Sequence, residues 1–226
     1  ASGTSGEFFS PRRKRKGEIV KKFYLVAIVG ALLVSGSAFA QNITNSDHDL
    51  SGNQTDTDEI CIFCHTPHSA SQTGPLWNRG ATNTTFTMYN SAYSSTIDGA
   101  VDAAPGGVSA ACLSCHDGTV GYDVLINAPG SGGYTSGGAT QSWNSGSMSA
   151  VAAPTKLGSD LRGEHPISIV YGTDTGLKAT PSNSLPLYSN KVECGSCHNP
   201  HDNTTAVPFL RLSNAASALC LSCHNK

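Results

Sequence analysis

The sequence predicts a coil-dominated chain with a few short helices and little strand, and three observations predict it. Long apolar periodic segments, which build helical or sheet cores, are scarce. Gly, Ser, Thr, Asn and Ala take their place, and 128–153 (APGSGGYTSGGATQSWNSGSMSAVAA) is close to low complexity. The unit Cys-x-x-Cys-His occurs four times and consumes all eight cysteines, leaving none for a disulfide. A chain of this composition cannot bury enough side-chain surface to offset its ordering entropy unaided.

Taken in order, the chain opens with a segment that reads as export machinery. Lys21-Lys22 precedes an apolar run over 23–34 and small residues ending Ser37-Ala38-Phe39-Ala40, the pattern of a secretory signal over 20–40 cleaved after Ala40. The apolar run is shorter than the roughly 20 residues a spanning helix needs, so no retained membrane helix is expected. Lys16-Gly17-Glu18 can be encoded by a purine-rich string resembling a ribosome-binding site ahead of a GTG start at Val20, so 1–19 reads as upstream sequence. Residues 41–226 read as one domain of two halves, about 41–127 and 154–226, joined by the Gly/Ser-rich segment. Short helices are expected over 109–115, 192–198 and 213–224, the last with Ser213 as N-cap ahead of good helix formers. Strand-like runs fall at 120–126 and 166–171.

The repeated unit carries the chemistry. In Cys-x-x-Cys-His two thiols add to haem vinyl groups and the adjoining histidine supplies an axial nitrogen to the iron. The four pairs are Cys61 and Cys64, Cys112 and Cys115, Cys194 and Cys197, and Cys220 and Cys223. Their proximal histidines are His65, His116, His198 and His224. Four haem c groups with two axial imidazoles each need eight histidines, and the remaining His48, His68, His165 and His201 complete that number as distal ligands. The competing reading is two four-cysteine zinc sites. Methionine, the other common axial ligand, stands only at Met88 and Met148, which read as packing or loop residues. The four covalently held haems then form the core, with Trp77 and Trp143 as aromatics packed on them. Asp117 and Asp202, beside motif histidines, read by default as solvent-facing carboxylates, with acceptance of an imidazole Nδ1–H as the alternative.

An internal order repeats. His48-Asp-Leu-Ser, Cys61-Ile-Phe-Cys64-His65-Thr-Pro-His68 and Cys112-Leu-Ser-Cys115-His116 are followed by His165-Pro-Ile-Ser, Cys194-Gly-Ser-Cys197-His198-Asn-Pro-His201 and Cys220-Leu-Ser-Cys223-His224. Spacer lengths differ, so the repeat is expected to concern ligands and not a shared scaffold. His68 and His201 lie too close behind a proximal histidine to reach round to the opposite face of the same haem, so each is expected to serve a different one.

These motifs, together with Pro75-Leu-Trp77-Asn, Gly163-Glu-His165-Pro-Ile-Ser and Val192-Glu-Cys194, resemble the tetrahaem outer-surface cytochromes of metal-reducing bacteria, the OmcE type, over nearly the whole of 41–226. The resemblance implies a loop-dominated fold around a continuous haem chain and subunits polymerised head to tail into extracellular conducting filaments. It also implies one axial histidine donated by a neighbouring subunit, with His68 or His48 as the candidates. Long-range electron transfer is therefore expected, and an enzyme is not, because bis-histidine irons offer no open position. The alternatives are a soluble periplasmic electron shuttle and, further off, a multihaem oxidoreductase.

Charge narrows the partners. Seven of the fourteen basic and two of the sixteen acidic residues lie in 1–40, leaving 7 against 14, a net charge of −7 for 41–226. Such a surface excludes nucleic acid. It suits copies of itself, upstream periplasmic or outer-membrane cytochromes, and extracellular acceptors such as metal oxides. The expected location is outside the cell or on its surface, with the periplasm as the alternative.

Overall fold

The computed structural model of the chain describes Gly3 and residues 43–51, 57, 59–80, 84–129, 150–152, 154–172 and 175–225. The chain divides into two units, Ala1–Ala40 and Gln41–Lys226, and every element below lies in the second. The readings of 1–19 and 20–40, Trp143, Met148 and most of the Gly/Ser-rich segment fall outside the described residues.

The architecture is coil with short helices and one minimal ribbon. Among the described residues helix α1 (Gly107–His116) is the longest element, and α2 (Cys194–Cys197) is a single turn. Short 3-10 turns lie at Ile60–Phe63, Leu161–Gly163, Ala215–Ser217 and Cys220–Ser222. Strands β1 (Ile169–Val170) and β2 (Lys191–Val192) pair antiparallel, with Ile169 opposite Val192. Each Cys-x-x-Cys-His sits on one of these turns, because residues three apart on a helical turn are neighbours on its surface.

Three expected elements differ. The helix over 213–224 is two 3-10 turns broken at Ala216 (φ 51°) and Ser217 (φ 61°), left-handed backbone that no helix carries. Ser213 Oγ accepts only from Ala215 N, 3.3 Å away, a local turn in place of a helix cap. The run 120–126 is turn backbone with one bridge, Gly121 to Ala150. Within 192–198 the helix shortens to α2, because Val192 is spent in the ribbon.

Side chains build only a small apolar core. Met88, Leu113 and Leu161 form it, with Phe86, Val101, Leu157 and Ile167 around them. Among the described residues thirteen buried side chains are polar against nine apolar, so hydrogen bonds carry much of the interior. Asn78, fully buried, donates Nδ2–H to Ile62 O (2.7 Å) and Asn127 O (2.8 Å) and accepts from Asn127 N (2.9 Å). Arg79 donates to the carbonyls of Tyr122 (2.8 Å), Ser114 (3.1 Å) and Gly121 (3.0 Å). Together they tie the loop after the first motif to α1 and its continuation.

The repeat extends to backbone, which corrects the expectation of shared ligands alone. Segments 61–78 and 194–211 have equal length and share three backbone hydrogen bonds. His65 N to Cys61 O (2.8 Å), Thr66 N to Leu76 O (2.8 Å) and Asn78 N to Cys64 O (2.8 Å) match His198 N to Cys194 O (3.0 Å), Asn199 N to Phe209 O (2.7 Å) and Arg211 N to Cys197 O (2.9 Å). Leu76 and Phe209 both sit at positive φ, 52° and 54°. A bulky residue pays about 1–2 kcal/mol there, so two copies sharing the cost indicates a turn that the site imposes. The differing spacers hide the match because they lie outside these segments.

Asn78→Ala removes three bonds and leaves buried backbone groups without partners. A loss of about 3 kcal/mol is expected, seen as a lower denaturant midpoint in the haem-loaded protein. An unchanged midpoint would show that the loop is held otherwise.

Candidate functional site

The four cysteine pairs are all free thiols, exposed at Cys61 and Cys220 and half-buried elsewhere. They follow one another in space as in sequence. Burial, then the neighbouring Cys115, pushes the Cys64 thiol up to about 12. Cys112 and Cys194 lie close enough to perturb each other, which lowers the Cys194 thiol and raises that of Cys112. Burial, then the neighbouring Cys223, raises Cys197. The first motif thus neighbours the second, the second the third, and the third the fourth. Among the described residues, which include every cysteine and histidine, no three His, Cys, Asp or Glu side chains converge to hold a metal ion, so the four-cysteine zinc reading does not fit.

The histidines are oriented one by one. His65 Nδ1 donates to Pro75 O (2.9 Å), His116 Nδ1 to Thr155 O (3.0 Å) and His198 Nδ1 to Pro208 O (3.3 Å). His48 Nδ1 donates to Pro200 O (3.4 Å) and His165 Nδ1 to Pro166 O (2.9 Å). A carbonyl can only accept, so Nδ1 carries the proton and Nε2 presents a lone pair, the tautomer of a metal-bound imidazole. Partial desolvation lowers His48, His165, His198 and His201 from the ordinary histidine value, which favours the neutral form that can ligate.

Six of the eight histidines lie in close pairs. Ring centroids of His65 and His201 lie 6.0 Å apart, those of His48 and His116 6.2 Å, and those of His165 and His224 6.3 Å. Two metal–nitrogen bonds of about 2 Å, with about 1 Å more from each nitrogen to its ring centre, separate the centroids of trans imidazoles by about 6 Å. The pairs therefore have the spacing of two axial ligands on one iron, and the free thiols of each motif flank a proximal member. The residues fit haem c. His201 faces the proximal histidine of the first motif and not His198 beside it. His68 and His198 belong to no such pair, and both rings are exposed.

The pairing of Asp117 and Asp202 with imidazoles is corrected. Asp117 is buried and accepts from Thr84 Oγ1 (2.9 Å) and from Thr119 N and Oγ1 (3.0 and 2.8 Å). Asp202 accepts from Thr204 N (2.8 Å) and Oγ1 (2.7 Å) and from Thr205. Both close local turns, and the Nδ1–H of His116 goes to backbone instead. Trp77 packs edge-on against His65, at 5.8 Å and 86°, and donates to Ser114 Oγ at 3.3 Å. Met88 is a packing residue of the core.

Sequence reasoning passed over two features. Pro75 and Pro208 each stand ten residues past a proximal histidine and supply its acceptor; the equal spacing was the available signal. Glu193, buried at the N-cap of α2, accepts from Ser109 Oγ of α1 and, at 3.0 Å, from Ser168 Oγ. Ser109 Oγ in turn accepts from Cys194 N at 2.9 Å. One carboxylate thereby fixes the third motif on the second, and only a glutamate directly before Cys194 hinted at it.

Burial raises the Glu193 carboxyl above its ordinary 4.5. A raised folded value favours the neutral form, so the associated stability is complete below pH 4.5 and declines as pH rises through the folded value. Glu193→Gln stays neutral, and its unfolding free energy is expected to be flat where wild type declines. Parallel curves would refute the assignment.

Residues 188–226, which hold the third and fourth motifs, match the family described as Doubled CXXCH motif. No curated protein matches the chain. The paired motif, on a coil-dominated fold, indicates a multihaem c-type cytochrome that carries covalently bound haem c and functions in electron transfer.

Proposed function

We propose that the chain binds four haems and is the subunit of an extracellular filament, similar to the OmcE type, that conducts electrons over long distances. The eight cysteines form the thioethers. His65 and His201 serve the first iron, His116 and His48 the second, and His224 and His165 the fourth. When bound, the haems supply one-electron redox chemistry and the path for transfer. The protein's part is to fix five of the imidazoles through backbone carbonyls and hold the motifs against one another in sequence order.

One observation carries the polymer reading. His198 has its Nδ1–H donated to Pro208 O and its ring exposed, yet no histidine faces it, while His68 is the one other unfaced ring. His48, the other candidate for donation to a neighbour, already faces His116. The repeat supports the same conclusion. His201 of the second copy faces His65 of the first half, so the equivalent His68 is suited to the equivalent His198 of a neighbouring subunit.

Export before residue 41, an acidic 41–226 and four coordinatively filled irons support a conductor outside the cell, fed by other cytochromes and discharging to acceptors such as metal oxides. His68→Ala is the direct test. Electron microscopy of cell-surface protein is expected to show filaments for wild type and none for the variant, with about one haem in four turned high-spin. Wild-type monomers with every haem low-spin would instead support the periplasmic shuttle.

His48→Ala separates the two candidates. It is expected to turn the second haem high-spin while the surface that presents His68 remains. A spectrum that stays wholly low-spin would remove His48 from the ligand set.

A further inference from the structure

The two halves of the chain meet through the second copy of the repeat, which caps the first half. His201 faces His65, Phe209 stacks on the His48 ring at 4.3 Å and 24°, and Pro200 O accepts from His48 Nδ1 at 3.4 Å. Phe209 is 7% exposed as a result.

The first copy carries the matching residues, His68 for His201 and Leu76 for Phe209, on a segment that shares three backbone hydrogen bonds and the positive φ at Leu76 and Phe209. The second half carries the matching receivers, His198 for His65 and His165 for His48. His165 faces His224 at 6.3 Å and 72°, reproducing His48 on His116 at 6.2 Å and 76°. This second set is open. Leu76 is 55% exposed, and His165 and His198 are exposed where His48 and His65 are half-buried. An apolar side chain of that exposure, held at φ 52° on a turn tied to the motif, is an unfilled half of a contact that the chain makes elsewhere with itself.

We propose that Leu76 docks on His165 of the partner subunit, as Phe209 docks on His48 within the chain, so that the internal junction is the template for the junction between subunits. The occupant is a second copy of this chain, because the complementary surface is its own second half. The hydrogen bond of the internal junction is not repeated, since His165 Nδ1 donates to Pro166 O; the contact is apolar ring packing. Such a contact joins different patches of the two subunits and so propagates in one direction. The inference rests on the polymer reading above.

The test compares assembly of haem-loaded wild type, Leu76→Glu and Leu76→Phe by light scattering and electron microscopy over a concentration series. Leu76→Glu is expected to keep its haem content, because the side chain is exposed in the free chain, and to raise the concentration needed for assembly about tenfold or more. Leu76→Phe, which copies Phe209, is expected to assemble at or below the wild-type concentration. Leu76→Glu assembling like wild type overturns this docking surface and leaves the polymer reading standing. If Leu76→Glu fails to load haem, Leu76→Phe decides, and assembly weaker than wild type overturns the surface. Wild type that stays monomeric with every haem low-spin overturns both readings.

Discussion

Every described feature of the site depends on where the imidazole Nδ1–H goes. A histidine that ligates through Nε2 must place its other proton on an acceptor, and a buried unsatisfied donor costs about 1–3 kcal/mol. Five of the eight rings give that proton to a backbone carbonyl, four of those carbonyls being the prolines 75, 166, 200 and 208. A backbone acceptor fixes ring tilt as well as tautomer, because it cannot rotate away as a carboxylate can. It also brings no charge close to the iron, so the ligand is oriented without the full electron-donating push of an aspartate partner. Asp117 and Asp202 stand one residue from motif histidines and are turned instead to threonines.

That arrangement explains why the fold is coil. Carbonyls aimed at rings must come from extended or turn backbone, since helices and sheets consume theirs internally. Among the described residues only α1 is a helix of more than one turn, and its carbonyls are not the ones used: the acceptor for His116 is Thr155, on a distant loop. The interior left between these loops is lined by polar side chains that bind backbone, with Asn78, Arg79 and Glu193 as its joints. Such joints set shape well and supply little apolar burial. A small cluster around Leu113 cannot replace the large porphyrin faces on which this composition relies.

Repetition then supplies the assembly logic. Two equivalent segments, 61–78 and 194–211, present a capping surface and two equivalent sets of histidines receive one. One cap is used inside the chain, leaving one cap and one receiver unmatched at opposite roles. A unit with one unmatched surface of each kind propagates unless its geometry closes a ring.

The sequence by itself determined the chemistry. Cys-x-x-Cys-His is read locally, its five residues being contiguous, and the count of eight histidines for four motifs is composition alone. The coil-dominated class was equally legible, because a chain without apolar period cannot build layers. The tertiary structure decided everything that relates distant residues: that His201 pairs with His65 and His48 with His116, that Glu193 joins two motifs, and that two segments separated by the Gly/Ser-rich stretch share three backbone hydrogen bonds. It also decided the local failure at 213–224, where good helix propensity yields to two left-handed residues. Propensity is worth tenths of a kcal/mol per residue, and positioning the last motif against Gly176 and Lys178 through its backbone outweighs it.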